Sequence, residues 1–169
     1  TYLLGVPRVF EKVYNAASQK AGAGIQGHIF AQSVKHFVKW SKDEQAGRGH
    51  SFIERMRHSF YMATVGKSIR SALGPNLKWL ACGGAPLNVD LAHFFNGMND
   101  ITFIQGYGMT ETAAPMLVNW EYDNEIGSVG KPGPGMGVRL GEDDEIELTG
   151  PNVFLGYYKK PELTADVRM

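Results

Sequence analysis

The run Leu77-Lys78-Trp79-Leu80-Ala81-Cys82 limits the fold of this chain more than any other feature. It is bounded by Pro75-Asn76 and Gly83-Gly84, and a short apolar run between such breakers suits a buried strand better than a helix. Residues 86–96 follow as a helix. Residues 101–104 read as a second buried strand that runs into Gln105-Gly106-Tyr107-Gly108-Met109-Thr110 and then a short helix from Glu111 to about Leu117. Strand, helix and strand in succession imply parallel strands joined by a crossover. The expectation is an α/β fold with a parallel sheet, whose sites lie at the carboxyl ends of the strands.

Upstream, residues 3–7 read as a strand and residues 7–20 as a helix with Pro7 near its first turn. In residues 26–41, Ile29, Phe30, Val34, Phe37, Val38 and Trp40 recur at helical spacing. Phe52, Ile53, Met56, Phe60, Ala63, Ile69 and Leu73 do the same before Gly74-Pro75 stops the pattern, so the two make a helical hairpin near 26–74. From Gly127 onward, Gly and Pro are dense and residues 138–140, 145–149 and 153–157 read as short strands. The expected division is an α/β lobe over 1–126, a small antiparallel β lobe over 127–160, and the start of a connection onward over 161–169.

The chain has 169 residues, enough for one core with a small second lobe. Lys plus Arg and Asp plus Glu both total 17, so no net field draws in nucleic acid, and no nucleic-acid partner is expected. Cys82 is the only cysteine, which excludes an internal disulfide and a Cys-based zinc cage and fits a reducing, cytoplasmic setting. No apolar run approaches the roughly 20 residues that span a bilayer. The chain opens on Thr1 and stops after a polar stretch, and is expected to be an excerpt of a longer protein.

Residues 105–112 place glycines, a ring, a hydroxyl and a carboxylate where a strand gives way to a helix. Glycines let backbone approach a ligand, and free N–H groups at a helix start favour phosphate. Tyr107 has a face for a nucleobase, Thr110 can donate to a phosphate oxygen, and Glu111 offers Mg²⁺ a hard oxygen ligand. The same residues admit a plainer and commoner use, with Thr110 capping the helix, Glu111 on its dipole and Tyr107 in the core.

Tyr107-Gly108-Met109-Thr110-Glu111 resembles the adenylate motif of the superfamily of acyl-CoA synthetases, firefly luciferase and peptide-synthetase adenylation domains. Further stretches match in the family's order: Val6-Pro7-Arg8-Val9-Phe10-Glu11-Lys12-Val13, Gly83-Gly84-Ala85-Pro86-Leu87, Gly127-Ser128-Val129-Gly130-Lys131-Pro132 and Gly150-Pro151-Asn152-Val153-Phe154-Leu155-Gly156-Tyr157-Tyr158. The resemblance implies the large-domain fold of that superfamily. It also implies that Gly83, Gly84 and Ala85 line the adenine pocket and the adjoining acyl channel, that Tyr107 stacks on adenine, and that Gly108 and Met109 flank the nucleotide. Thr110 would contact the α-phosphate and Glu111 would bind Mg²⁺, these two being the expected catalytic residues.

Residues 6–12, the insertion near 26–74 and Gln105-Gly106 are similar to the long-chain fatty-acid–CoA ligase branch. The implied reaction joins a long-chain fatty acid to CoA at the cost of ATP, through an acyl-adenylate that releases pyrophosphate and then AMP. An adenylation domain that loads a carrier protein, or a non-catalytic nucleotide- or acyl-binding module, stays open as an alternative. The family's phosphate loop, ribose-binding Asp and catalytic Lys do not occur in these residues, so the chain by itself is expected to be inactive and prone to self-association.

Other signals have plainer uses. Gly133-Pro134-Gly135-Met136-Gly137 is expected as a turn, and Glu142-Asp143-Asp144-Glu145 as a hairpin turn without the spacing of a Ca²⁺ loop. Cys82 is expected as a small buried residue. His28, His36, His50, His58 and His93 lack metal-ligand spacing and are expected on the surface or in the hairpin. Arg48, His50, Arg55, Arg57 and His58 are candidates for peripheral contact with anionic lipid, although a solvated helix face is the commoner use.

Overall fold

Pro7 fixes the first turn of α1 (Pro7–Ala21), and the chain reaches it directly from β1 (Tyr2–Gly5). The structure is a computed structural model that describes residues 1–98, 101–113 and 115–167; Asn99, Asp100, Ala114, Arg168 and Met169 lie outside the described residues. After α2 (Ile25–Gln45), Ser51 opens α3 (Phe52–Tyr61) with a reciprocal capping box, its hydroxyl accepting from the Glu54 N–H while the Glu54 carboxylate accepts from the Ser51 N–H. A π-helical turn, Met62–Gly66, leads into α4 (Lys67–Leu73), which ends at Gly74 with φ 115°. The expected hairpin therefore forms, and its second arm is one run with a widened turn.

Next come β2 (Trp79–Cys82), α5 (Val89–Asn96) and β3 (Thr102–Gly108). Asn88 caps α5, its side chain accepting from the Leu91 N–H at 3.1 Å. β1, β2 and β3 pair in parallel, with Gly5, Cys82 and Gln105 level across the three strands. β4 (Pro115–Val118) and β5 (Lys131–Pro132) extend the same sheet antiparallel, in the order β1-β2-β3-β4-β5. β6 (Gly137–Leu140) and β7 (Ile146–Thr149) form a separate hairpin through the turn at Glu142–Asp144, and α6 (Pro161–Val167) follows.

Two expectations fail, each for a visible reason. The helix from Glu111 to about Leu117 is instead a 3₁₀ turn, Thr110–Thr112, followed by β4; Ala113 turns left-handed at φ 55°, and Pro115 has no N–H to continue a helix. Ala114, also within that expected helix, lies outside the described residues, as do Arg168 and Met169 of the expected connection. Residues 153–157 form no strand, because the Phe154 N–H goes to the Glu111 carbonyl at 2.7 Å rather than to a ladder.

The core lies on one face of the parallel strands, under α1, α2 and α5. Phe10 meets the rings of Phe103 and Phe95 edge-on, with centroids 5.1 and 6.0 Å away, and Phe94 meets Tyr14 at 5.2 Å. α5 ends against α2 so closely that a Cβ on Gly97 would lie 2.1 Å from the Phe37 carbonyl oxygen. Side chains of Leu80, Cys82 and Phe103 point into this core, whereas Tyr2 and Leu4 on the opposite face of β1 are 74% and 71% exposed.

Candidate functional site

The strand ends converge on glycine. The Gly83 N–H reaches the Gly5 carbonyl at 3.4 Å, and a Cβ on Gly83 would stand 3.0 Å from the Gly106 carbonyl oxygen. A side chain at 83 would push β2 and β3 apart. Gly84 adopts φ 81°, which glycine takes without strain. Gly84 and Ala85 are exposed, so the two stretches singled out in the sequence, 83–85 and 105–112, meet at the carboxyl edge through Gly83 and Gly106.

Beyond Gly106 the chain bulges between Tyr107 and Gly108 and enters the 3₁₀ turn. Tyr107 is half-buried and lies outside the hydrophobic core, and Met109 and Thr110 are exposed. Thr112, which sequence reasoning passed over, fixes the turn. Its buried hydroxyl donates to the Met109 carbonyl at 2.9 Å and accepts from the Met109 N–H at 3.1 Å. Thr110, expected on the plain reading to cap a helix, makes no side-chain hydrogen bond among the described residues and is exposed.

A second support comes from residues 150–157. Asn152 donates to the Thr112 carbonyl at 2.7 Å, and Phe154 to the Glu111 carbonyl. The Tyr157 hydroxyl donates to Glu111 Oε1 at 2.5 Å. That bond, with a backbone hydrogen bond at Glu111 itself, holds the Glu111 carboxyl below the usual glutamate range, and raises the Tyr157 hydroxyl in return. Glu111 is therefore ionised at neutral pH. Residues 150–158 match the family's order, but their apolar alternation reads as a strand and does not mark Tyr157 as a partner of Glu111.

Among the described residues, no group of three His, Cys, Asp or Glu side chains could hold a metal ion alone. One half-buried carboxylate beside the exposed Thr110 still fits Mg²⁺, which binds one or two carboxylates together with substrate phosphates. A concavity of about 960 Å³ lies instead at the amino end of β3, lined by Ser41, His93, Asn96, Thr102 and residues 121–125. It holds none of the residues expected to touch a nucleotide.

The histidines correct one expectation. His93 is buried in α5 rather than at the surface or in the hairpin; its Nδ1 lies 2.9 Å from the Ser41 hydroxyl of α2, and Asn96 donates to the same hydroxyl at 3.1 Å. His58 turns inward to stack on Trp40 at 4.0 Å, and His50 stacks on the same indole at 3.4 Å. Cys82 is buried, which pushes its thiol up to about 11 and leaves it inert.

Residues 1–158 match the family model described as AMP-binding enzyme. The chain is 39% identical over 166 residues to the long-chain-fatty-acid–CoA ligase FadD15 of Mycobacterium bovis, with 98% of this chain and 27% of that protein aligned. It is 33% identical over 184 residues to long chain acyl-CoA synthetase 1 of Arabidopsis thaliana, across 99% of this chain and 27% of that one. Apo MatB from Rhodopseudomonas palustris has a similar fold, with a TM-score of 0.56 and 22% identity over 98% of this chain and 25% of MatB. The chain thus spans about a quarter of the length of these relatives.

Proposed function

Because the chain belongs to the AMP-binding enzyme family, we propose that it is the adenylate-holding part of an acid–thiol ligase that converts a long-chain fatty acid, ATP and CoA to acyl-CoA, AMP and pyrophosphate. The observation that carries the reading is the turn at Thr110–Thr112, where the Thr110 side chain is exposed and without a hydrogen bond among the described residues, and where Tyr157 holds the Glu111 carboxylate beside it. The sequence likeness to two long-chain acyl-CoA-forming relatives supports the acyl class.

In the first step a carboxylate oxygen of the fatty acid attacks the α-phosphorus of ATP, a P–O bond forms, and pyrophosphate leaves with the electron pair of the broken bond. In the second, the CoA thiolate attacks the acyl carbon and AMP departs. Neither step needs a protein nucleophile; each needs positioning and neutralised charge. Gly83, Gly84 and Ala85 leave room at the strand ends for adenine and the acyl chain, Tyr107 offers its ring to the base, and Gly108 and Met109 pass beside the nucleotide. Thr110 donates to the α-phosphate. Glu111 would hold Mg²⁺, and the ion would supply positive charge to offset that of the phosphates.

Fatty-acid-dependent pyrophosphate release by the full-length protein tests this. Glu111→Ala should lower the rate by about a hundredfold or more, the scale of losing one preorganised charge-stabilising group. A rate within twofold of the unaltered protein would remove Glu111 from the mechanism.

A further inference from the structure

α3 turns its most apolar side chains outward. Phe52, Ile53, Met56 and Phe60 are 76%, 68%, 60% and 52% exposed. At 100° per residue they fall in one arc of about 100° on the helix. Arg55 and Arg57 flank that arc on either side, both exposed and neither in an ion pair among the described residues. The inner side, by contrast, is spoken for: His58 stacks on Trp40 and Glu54 is bound to Ser51 and Lys39.

Charge over this region has one sign. Between residues 54 and 70 the sequence carries Arg55, Arg57, Lys67 and Arg70 against a single acid, Glu54, while Arg48 just before them is paired with Asp43 at 2.7 Å. Lys39 engages that acid at 3.0 Å, so it does not offset the outer arginines. An apolar stripe edged by guanidinium groups is the pattern of a helix that lies in the plane of a bilayer, apolar face down and cations among headgroups. Since no helix among the described residues is long and apolar enough to cross a membrane, the contact is with its surface.

We propose that the outer face of α3, through Phe52, Ile53, Met56 and Phe60 with Arg55 and Arg57, docks this chain on an anionic lipid bilayer. A second copy is a poorer occupant, because pairing this face with itself sets arginine against arginine with no acid between them. The proposal is independent of the catalytic reading.

Flotation of the chain with vesicles tests it, since bound protein rises while aggregates sink. Vesicles of phosphatidylglycerol and phosphatidylcholine should carry the chain up, pure phosphatidylcholine far less, and 0.5 M salt should weaken the binding, as about 4 Å of screening length leaves little attraction. Each of Arg55→Gln and Arg57→Gln should weaken binding about fivefold. Phe60→Glu should abolish flotation while circular dichroism stays unchanged, as the side chain is outside the core. Three outcomes overturn the proposal: no flotation with phosphatidylglycerol, flotation that these variants leave unaltered, or a lipid-free dimer that Phe60→Glu dissolves in the absence of any vesicle binding.

Discussion

Glu111 supplies the negative charge at the candidate site, and Tyr157 fixes where that charge points. The Tyr157 hydrogen bond is the largest cause of the lowered Glu111 carboxyl. Tyr157→Phe should therefore move the Glu111 carboxyl up toward the ordinary glutamate range, measured by carbon NMR of the side-chain carboxyl during a pH titration. The sign of the stability effect follows from linkage: a depressed folded-state carboxyl stabilises above its unfolded value and loses that contribution as pH falls through the folded one. The melting temperatures of the two proteins should thus differ at pH 7 and converge in acid. Equal titration of Glu111 in both would show that the hydrogen bond is not made in solution. Local reading of the sequence found Glu111 from its motif, but could not find Tyr157, 46 positions away, because a hydroxyl at that separation leaves no periodic trace. Thr112 escaped for a related reason. Either threonine of the motif fits a cap by type alone, and only the turn geometry gives the task to Thr112 and leaves Thr110 free.

Helices with a single buried face were legible in the sequence, since apolar residues at 3.6-residue spacing report which side packs. α1 and α2 lie close to their expected bounds for that reason, and β2 because proline and glycine bracket a short apolar run, whereas β3 runs on through Gly106 to Gly108, past the expected end at Ile104. What spacing could not show was which polar side chains join the helices. Ser41 of α2 meets His93 of α5 across the core, and His36 of α2 meets His58 and Tyr61 of the second hairpin arm, with ring centroids 5.4 and 5.2 Å away. Burial is the main cause that lowers both His36 and His93 from the ordinary value of 6.5. Around His36, Arg57, Lys39 and His50 push the same way and Glu54 opposes; around His93, Lys42 pushes down and Asp90 opposes. The unfolded chain thus takes up these protons more readily than the folded one, so stability present above about pH 6.5 should be lost as pH falls toward the lowered folded values. Urea midpoints at pH 7.5 and pH 5.0 should show the loss, and it should be smaller in His93→Gln than in the unaltered chain. An identical acid loss in that variant would place the titrating groups elsewhere.

At the scale of the molecule, the parallel pairing of the first strands could be read from the succession of elements, while the antiparallel extension by β4 and β5 and the exposure of one sheet face could not. Whether a strand residue is covered depends on which helices lie over it, and the alternation of Tyr2, Leu3, Leu4 and Gly5 is too apolar throughout to declare an open side. The structure resolves this: Leu3 packs on the core, whereas Tyr2 and Leu4 stand in solvent, level with Trp79 and Ala81 of β2, which are half-buried. β1 is also the edge of its sheet, with one side of its backbone unpaired among the described residues. An apolar face beside an open edge is the combination that draws a second chain. The isolated chain should consequently associate with itself, giving a mass by light scattering that rises with concentration above that of one chain. Leu4→Lys places a charge in the middle of that face without touching the covered core, so it should lower the association, and should leave vesicle binding through α3 as it was. A monomer at all concentrations would mean that the exposed strand face is too small to bury a stable interface, and that covering it is unnecessary for this part of the fold to stand alone.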